Sequence, residues 1–232
     1  MHPEPGEARD ARRAMKASAL EAVRIPAGSV TVMADLRMPE NARGIVIFAH
    51  GSGSSRFSTR NRRVAEYLGQ QRFATLLLDL LTPDEEAIDV RTAGFRFDIG
   101  RLGPRVSAAA DWSASRADLE ALPIGLFGAS TGAAAALFAA AERPHLVRAV
   151  VSRGGRPDLA GDALSRVEAP TLLIVGELDD PVIRMNRDAM RHMHAHVELS
   201  IVPGATHLFE EPGTLEEVQR LAADWFSRYL VG

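Results

Sequence analysis

Ser130 lies in the run Gly128-Ala-Ser-Thr-Gly132, which apolar Leu122–Phe127 precedes and alanine-rich Ala133–Ala141 follows, stopping at Arg143-Pro144. A Gly-x-Ser-x-Gly between a strand and a helix makes a nucleophile elbow. The turn is so tight that the flanking positions must be small, and the serine sits at the head of the helix, where free N–H groups can hold a developing oxyanion. A neutral hydroxyl is a poor nucleophile, so it needs an adjacent base that a third group orients. Both partners are available downstream. The apolar run Thr171–Val175 leads into Gly176-Glu-Leu-Asp179-Asp180-Pro181, and Val197–Val202 leads into Pro203-Gly-Ala-Thr-His207. If these runs are parallel strands, the acid and the histidine leave the same carboxyl edge of the sheet as Ser130, where doubly wound folds place their ligands.

An oxyanion needs two donors. The first is the backbone N–H of Thr131, the residue after the nucleophile. The second is expected from His50-Gly51-Ser52-Gly53-Ser54-Ser55, a glycine-rich turn after the apolar run Ile45–Ala49. Ser52 is the first candidate there and Gly53 the second. His50 ends a buried strand and reads as a histidine that bonds the backbone.

The set His50-Gly51-x-Gly53, Gly128-x-Ser130-x-Gly132, Gly176-x-x-Asp179 and Gly204-x-x-His207 resembles the α/β-hydrolase superfamily over roughly residues 20 to 230. With a short chain and no large cap between the sixth and seventh strands, it is most similar to the dienelactone-hydrolase-like branch. The resemblance implies a Ser130–His207–Asp179 triad, with the Gly-x-x-Asp spacing favouring Asp179 over Asp180. The branch's namesake uses a cysteine nucleophile, whereas this chain has serine at the matching position. That points away from enol-lactone chemistry and towards a small-molecule carboxylic ester, or a related lactone or thioester. An acyltransferase or small peptidase would present the same triad, and a non-catalytic ligand-binding module is the rival of another class.

The elements that must position these groups follow from periodicity. Segments Leu20–Ile25 and Ser29–Met38 read as an antiparallel hairpin, with Val30, Val32, Ala34 and Leu36 on one face. The continuous apolar run Ile45–Ala49 suits a strand covered on both sides, Phe73–Asp79 and Leu122–Phe127 read as further buried strands, and Val147–Ser152, Thr171–Val175 and Val197–Val202 complete the strand set. Helical patterns alternate with them. Thr59–Gln71 carries Val64, Ala65 and Leu68 on its apolar side. The last helix carries Val218, Leu221, Ala222, Trp225 and Tyr229, with Thr214 and Glu217 expected as a capping box. The fold expected is α/β: a mostly parallel, doubly wound sheet of about seven to eight strands behind the hairpin, in one domain over residues 19–232. Residues 1–18 are expected to form a flexible tail. Residues 80–116 exceed a single crossover helix and read as a loop plus helix, either a surface crossover or a small lid.

Composition narrows the class. The 232 residues carry 46% hydrophobic and 25% charged side chains with a net charge of −3, so no nucleic-acid or anionic-membrane partner is indicated. No Cys is present, which excludes disulfides and a thiolate nucleophile. Met1–Lys16 is charged without the apolar core of a signal peptide, and cytoplasmic residence is the expectation. The chemistry calls for no cofactor and no metal, and His192, His194 and His196 are read as helix-end residues without a ligand role. The chain is expected to act as a monomer or homodimer. Arg56, Arg60, Arg62 and Arg63 cluster beside the oxyanion turn and read as a solvated helix face, with Arg56 available to an anionic substrate group. Phe95, Phe97 and Phe209 are candidates for the pocket wall or for the core.

Overall fold

The computed structural model describes residues 19–230, and the tail expected over 1–18 lies outside them. Strands β1 (Glu21–Ala27) and β2 (Val30–Arg37) form the hairpin. Six more follow: β3 (Ile45–Ala49), β4 (Ala74–Leu78), β5 (Ile124–Ala129), β6 (Val147–Arg153), β7 (Thr171–Gly176) and β8 (Val197–Val202). They make one eight-stranded sheet in the order β1-β2-β4-β3-β5-β6-β7-β8. The hairpin joins it through an antiparallel β2–β4 pair, and every pair from β4 to β8 is parallel.

The helices are α1 (Thr59–Gln70), α2 (Pro83–Thr92), α3 (Ile99–Ser115), α4 (Thr131–Glu142), α5 (Asp180–Met190) and α6 (Thr214–Tyr229). A 3₁₀ segment, Pro157–Arg166, lies between β6 and β7. Alternate residues of each central strand feed two cores. Ile45 and Ile47 join Leu126, Val106 and Leu137 on the face of α3 and α4, while Val46 and Phe48 join Phe127, Leu68 and Phe226 on the face of α1 and α6. Burial on both faces accounts for the unbroken apolar runs.

This strand order decides where a ligand can sit. The chain leaves β3 towards β4 on one side and leaves β5 towards β6 on the other. Loops at the carboxyl ends of β3 and β5 therefore diverge, and a crevice opens between them. Register sets Ala49 beside Gly128, so the glycine-rich turn and the elbow emerge side by side.

Two local expectations are corrected. Helix α6 has no Thr214–Glu217 capping box: Gly213, at φ 84°, is the cap, and the Thr214 hydroxyl instead donates to the Glu211 carbonyl at 2.7 Å. A capping box does occur at Thr82–Glu85, where the polar run opens α2 rather than a loop. Segment 80–116 thus holds two helices. Helix α3 packs against α4 and β1 as part of the layer, whereas α2 buries only Asp89 and lies over the carboxyl edge. Glu85 straps the two together by accepting from Arg101 and Arg105, and Arg105 also donates to the Leu80 carbonyl.

Candidate active site

At the elbow, Ser130 has φ 51° and ψ −122°, a conformation that non-glycine residues adopt at a cost. Its neighbours over-determine it. The Ser130 N–H donates to the Arg153 carbonyl at 3.1 Å, and its carbonyl accepts from Arg156 N–H at 3.0 Å. A Cβ at Gly128 would fall 2.3 Å from Ala133 Cα, and one at Gly132 would fall 2.3 Å from the Ala49 carbonyl oxygen. Both glycines of the motif are therefore required by close approach.

The structure brings His207 and Asp179 together. Nδ1 of His207 lies 2.6 Å from Oδ2 of Asp179, whose side chain is only 13% exposed. A carboxylate at Nδ1 makes that nitrogen the donor and leaves Nε2 free to take a proton. Asp180 is exposed at the start of α5 and takes no part in this bond. The imidazole packs over Gly154, whose preceding residue, Arg153, supplies the carbonyl that holds Ser130. In this way β6 links the histidine loop to the elbow.

The side chains of the two expected oxyanion donors meet. Ser52 Oγ and Thr131 Oγ1 are 3.0 Å apart, and Ser52 Oγ donates to the Arg96 carbonyl at 3.4 Å. Because one hydroxyl has one proton, Thr131 donates to Ser52 in that relay. Thr131 is buried at the first turn of α4, where its N–H has no intrahelical acceptor. Gly53, at φ 64°, closes the turn. His50 is buried, with Nδ1 at 2.9 Å from the Gly51 carbonyl and Nε2 accepting from Leu80 N–H at 3.0 Å. Burial pushes its pKa down, so it is a neutral brace for the turn.

The arginine cluster is spent within the protein. Arg56 Nε bonds Asp35 at 3.1 Å, and both its N–H and its guanidinium bond Asp79. Arg62 adds a second bond to Asp35 at 3.1 Å, Arg60 pairs with Glu210 at 3.0 Å, and Arg63 pairs with Glu216 at 2.7 Å. Arg56 anchors the far end of the turn to β2 and β4 instead of presenting a free charge to an anion. Phe209 is 2% exposed and packs in the core of α1 and α6, where it also borders a cavity shared with Thr59, Arg60 and Glu210. Phe95 packs against the other core beneath the Arg101 guanidinium, and Phe97 is exposed. His196 lies beside Trp225 and bonds Glu198 at 2.8 Å.

A cleft of about 430 Å³ opens between the turn and the start of α2, walled by Gly53, Ser55, Phe57, Leu81, Thr82 and Glu86. Gly53, Leu81 and Glu86 also line a narrow groove that reaches Ser52 and Thr131. Glu86 was invisible to pattern reading because nothing local distinguishes it from its neighbours Asp84 and Glu85. Buried Asp89 was missed likewise: it accepts from Phe95 N–H, Arg96 N–H and Arg96 Nε, and so pins the loop that carries the Arg96 carbonyl. Among the described residues, no helix is long and apolar enough to cross a membrane.

A family model described as the dienelactone hydrolase family matches residues 32–230. A solved structure named dienelactone hydrolase from Anabaena variabilis is 56% identical, over 92% of this chain and 99% of that one, with a TM-score of 0.90. Est1E from Butyrivibrio proteoclasticus shares the fold, with a TM-score of 0.74 at 18% identity over 89% of this chain and 98% of its own. Two Mycobacterium tuberculosis proteins provisionally named phosphoribosyl transferases are 57% identical over 212 residues, which is 91% of this chain and 47% of theirs. The chain spans about half the length of these curated relatives.

Proposed function

The chain belongs to the dienelactone hydrolase family, and from that premise we propose that it hydrolyses carboxylic esters of small molecules through an acyl-enzyme. The observation that carries this reading is the 2.6 Å His207–Asp179 bond on the sheet edge that also presents Ser130 in its strained turn. Ser130 Oγ attacks the ester carbonyl while its proton passes to His207 Nε2. Asp179 fixes the tautomer and stabilises the imidazolium. The N–H groups of Thr131 and Ser52, with Gly53 next to it, hold the oxyanion. Collapse of the tetrahedral intermediate breaks the bond to the alkoxide, which leaves with the proton from His207. Water then attacks the acyl-enzyme, gives its proton to His207, and releases the acid with Ser130 restored. We assign the phosphoribosyl transfer in the curated relatives' names to the half of their length that this chain does not match.

The test is Ser130→Ala on short p-nitrophenyl esters together with fluorophosphonate labelling. Turnover is expected to fall by about 10³-fold or more, with labelling lost. Equal turnover by the two proteins, with no label on Ser130, would sink the proposal.

A further inference from the structure

The cleft beside the oxyanion turn has a definite place relative to the bond that breaks. Along the sheet, the loops after β6, β7 and β8 bring Gly154, Asp179 and His207 to one side of Ser130. The loops after β3 and β4 bring the turn and Leu81 to the other side, where the cleft lies. His207 must protonate the leaving oxygen, so the alcohol departs on its side. The oxyanion faces the Thr131 and Ser52 N–H groups, and the side left for the acyl substituent is that of β3 and β4, where the cleft opens towards Glu86.

The charge of that groove is equally definite. Two guanidiniums come close, and both are taken. Arg96 is held by Asp89, with Nε to Oδ2 at 2.8 Å, and Arg56 is held by Asp35 and Asp79. Asp79, on the cleft wall, is neutralised in turn by Arg56. Glu86, half-buried where groove and cleft join, has no side-chain hydrogen-bond or ion-pair partner among the described residues. The remaining lining is uncharged, with the hydroxyls of Ser55, Ser58 and Thr82 beside apolar Phe57, Leu81 and Pro83. Glu86 lies in the first turn of α2, whose positive end offsets part of its charge, and a carboxylate without a side-chain counter-ion still repels an anion and attracts a cation.

We propose that this cleft receives the acyl part of the substrate and that Glu86 makes it select acyl groups bearing a positive charge. The inference rests on the esterase reading above, and it runs opposite to the option that Arg56 receives an anionic substrate group. The test uses three p-nitrophenyl esters that share one leaving group: 4-(trimethylammonio)butanoate, its uncharged isostere 5,5-dimethylhexanoate, and the half-ester of glutarate. Wild type is expected to turn over the cationic ester with a kcat/KM about three- to tenfold above the isostere, as one partly solvated charge pair allows, with the anionic ester poorest. Raising the salt concentration narrows the spread. Glu86→Gln brings the cationic-to-neutral ratio towards one, and Glu86→Lys reverses the order of the cationic and anionic esters. Equal or anion-first turnover by wild type, or a preference that survives both substitutions, overturns the assignment of Glu86. Hydrolysis of none of the three esters overturns the esterase reading itself, and this inference falls with it.

Discussion

Thr131→Val removes one hydroxyl and keeps the shape of the side chain and the backbone N–H. The lost bond is the 3.0 Å contact between Thr131 Oγ1 and Ser52 Oγ, which joins residues 79 positions apart. Thr131 is 2% exposed, so water does not readily replace it, and Ser52 keeps only its longer bond to Arg96. A neutral hydrogen bond is worth about 0.5–1.5 kcal/mol net. Spent on holding Ser52 in place, that corresponds to a roughly two- to thirteenfold fall in kcat. The ceiling is total loss of one oxyanion donor, about 10²–10³-fold. Since the clamp matters where negative charge develops, the loss belongs in kcat, with KM nearly constant. Thr131→Ser restores the hydroxyl and is expected to recover most of the rate. The assay is steady-state hydrolysis of p-nitrophenyl acetate, with a thermal melt to show that the fold is intact. A folded Thr131→Val with kcat within twofold of wild type, or one that shifts KM alone, would refute the clamp.

Other substitutions probe the rest of the arrangement. Asp179→Asn is expected to lower kcat by about 10³–10⁴-fold by presenting the wrong tautomer, while Asp180→Asn stays within about twofold; comparable losses at both positions would contradict the geometry. Gly132→Ala forces a methyl to 2.3 Å from the Ala49 carbonyl oxygen, and a loss of more than about 2 kcal/mol in urea unfolding is expected. For Glu85, burial pushes the carboxyl up, but the bonds from Arg105, Thr82 N–H and Arg101 outweigh it and hold the pKa at about 2, against an ordinary 4.5. A depressed folded pKa means that this stability is complete above about pH 4.5 and is lost as pH falls towards 2. With allowance for solvent access, Glu85→Gln costs about 1–2 kcal/mol at neutral pH, or roughly 2–8 °C in Tm, and wild type and variant converge in acid.

The sequence by itself determined what is local. Glycines at positions 128 and 132 and the strand-to-helix change around them specify the elbow, because a tight turn is a property of five consecutive residues. Unbroken apolar runs marked the central strands, since burial on both faces is written into each run. The order of Ser130, an acid and His207, after β5, β7 and β8, was equally legible. What was not legible depends on which segments become neighbours. The choice of Asp179 came from a motif spacing, and the 2.6 Å bond comes from the packing of the loops after β7 and β8. Four clustered arginines suggest a basic surface until the fold brings Asp35, Asp79, Glu210 and Glu216 to them from 21 to 153 residues away. The Thr214 pattern fitted a cap, yet its hydroxyl found a nearer acceptor in Glu211. Thr131 and Ser52 share a bond only because β3 and β5 are adjacent at the point where the chain reverses direction. Glu86 becomes distinctive only once each neighbouring charge has its partner. Local conformation is encoded by residues that are adjacent in the chain, whereas charge balance and the site's contacts are set by strand order, which the crossovers decide.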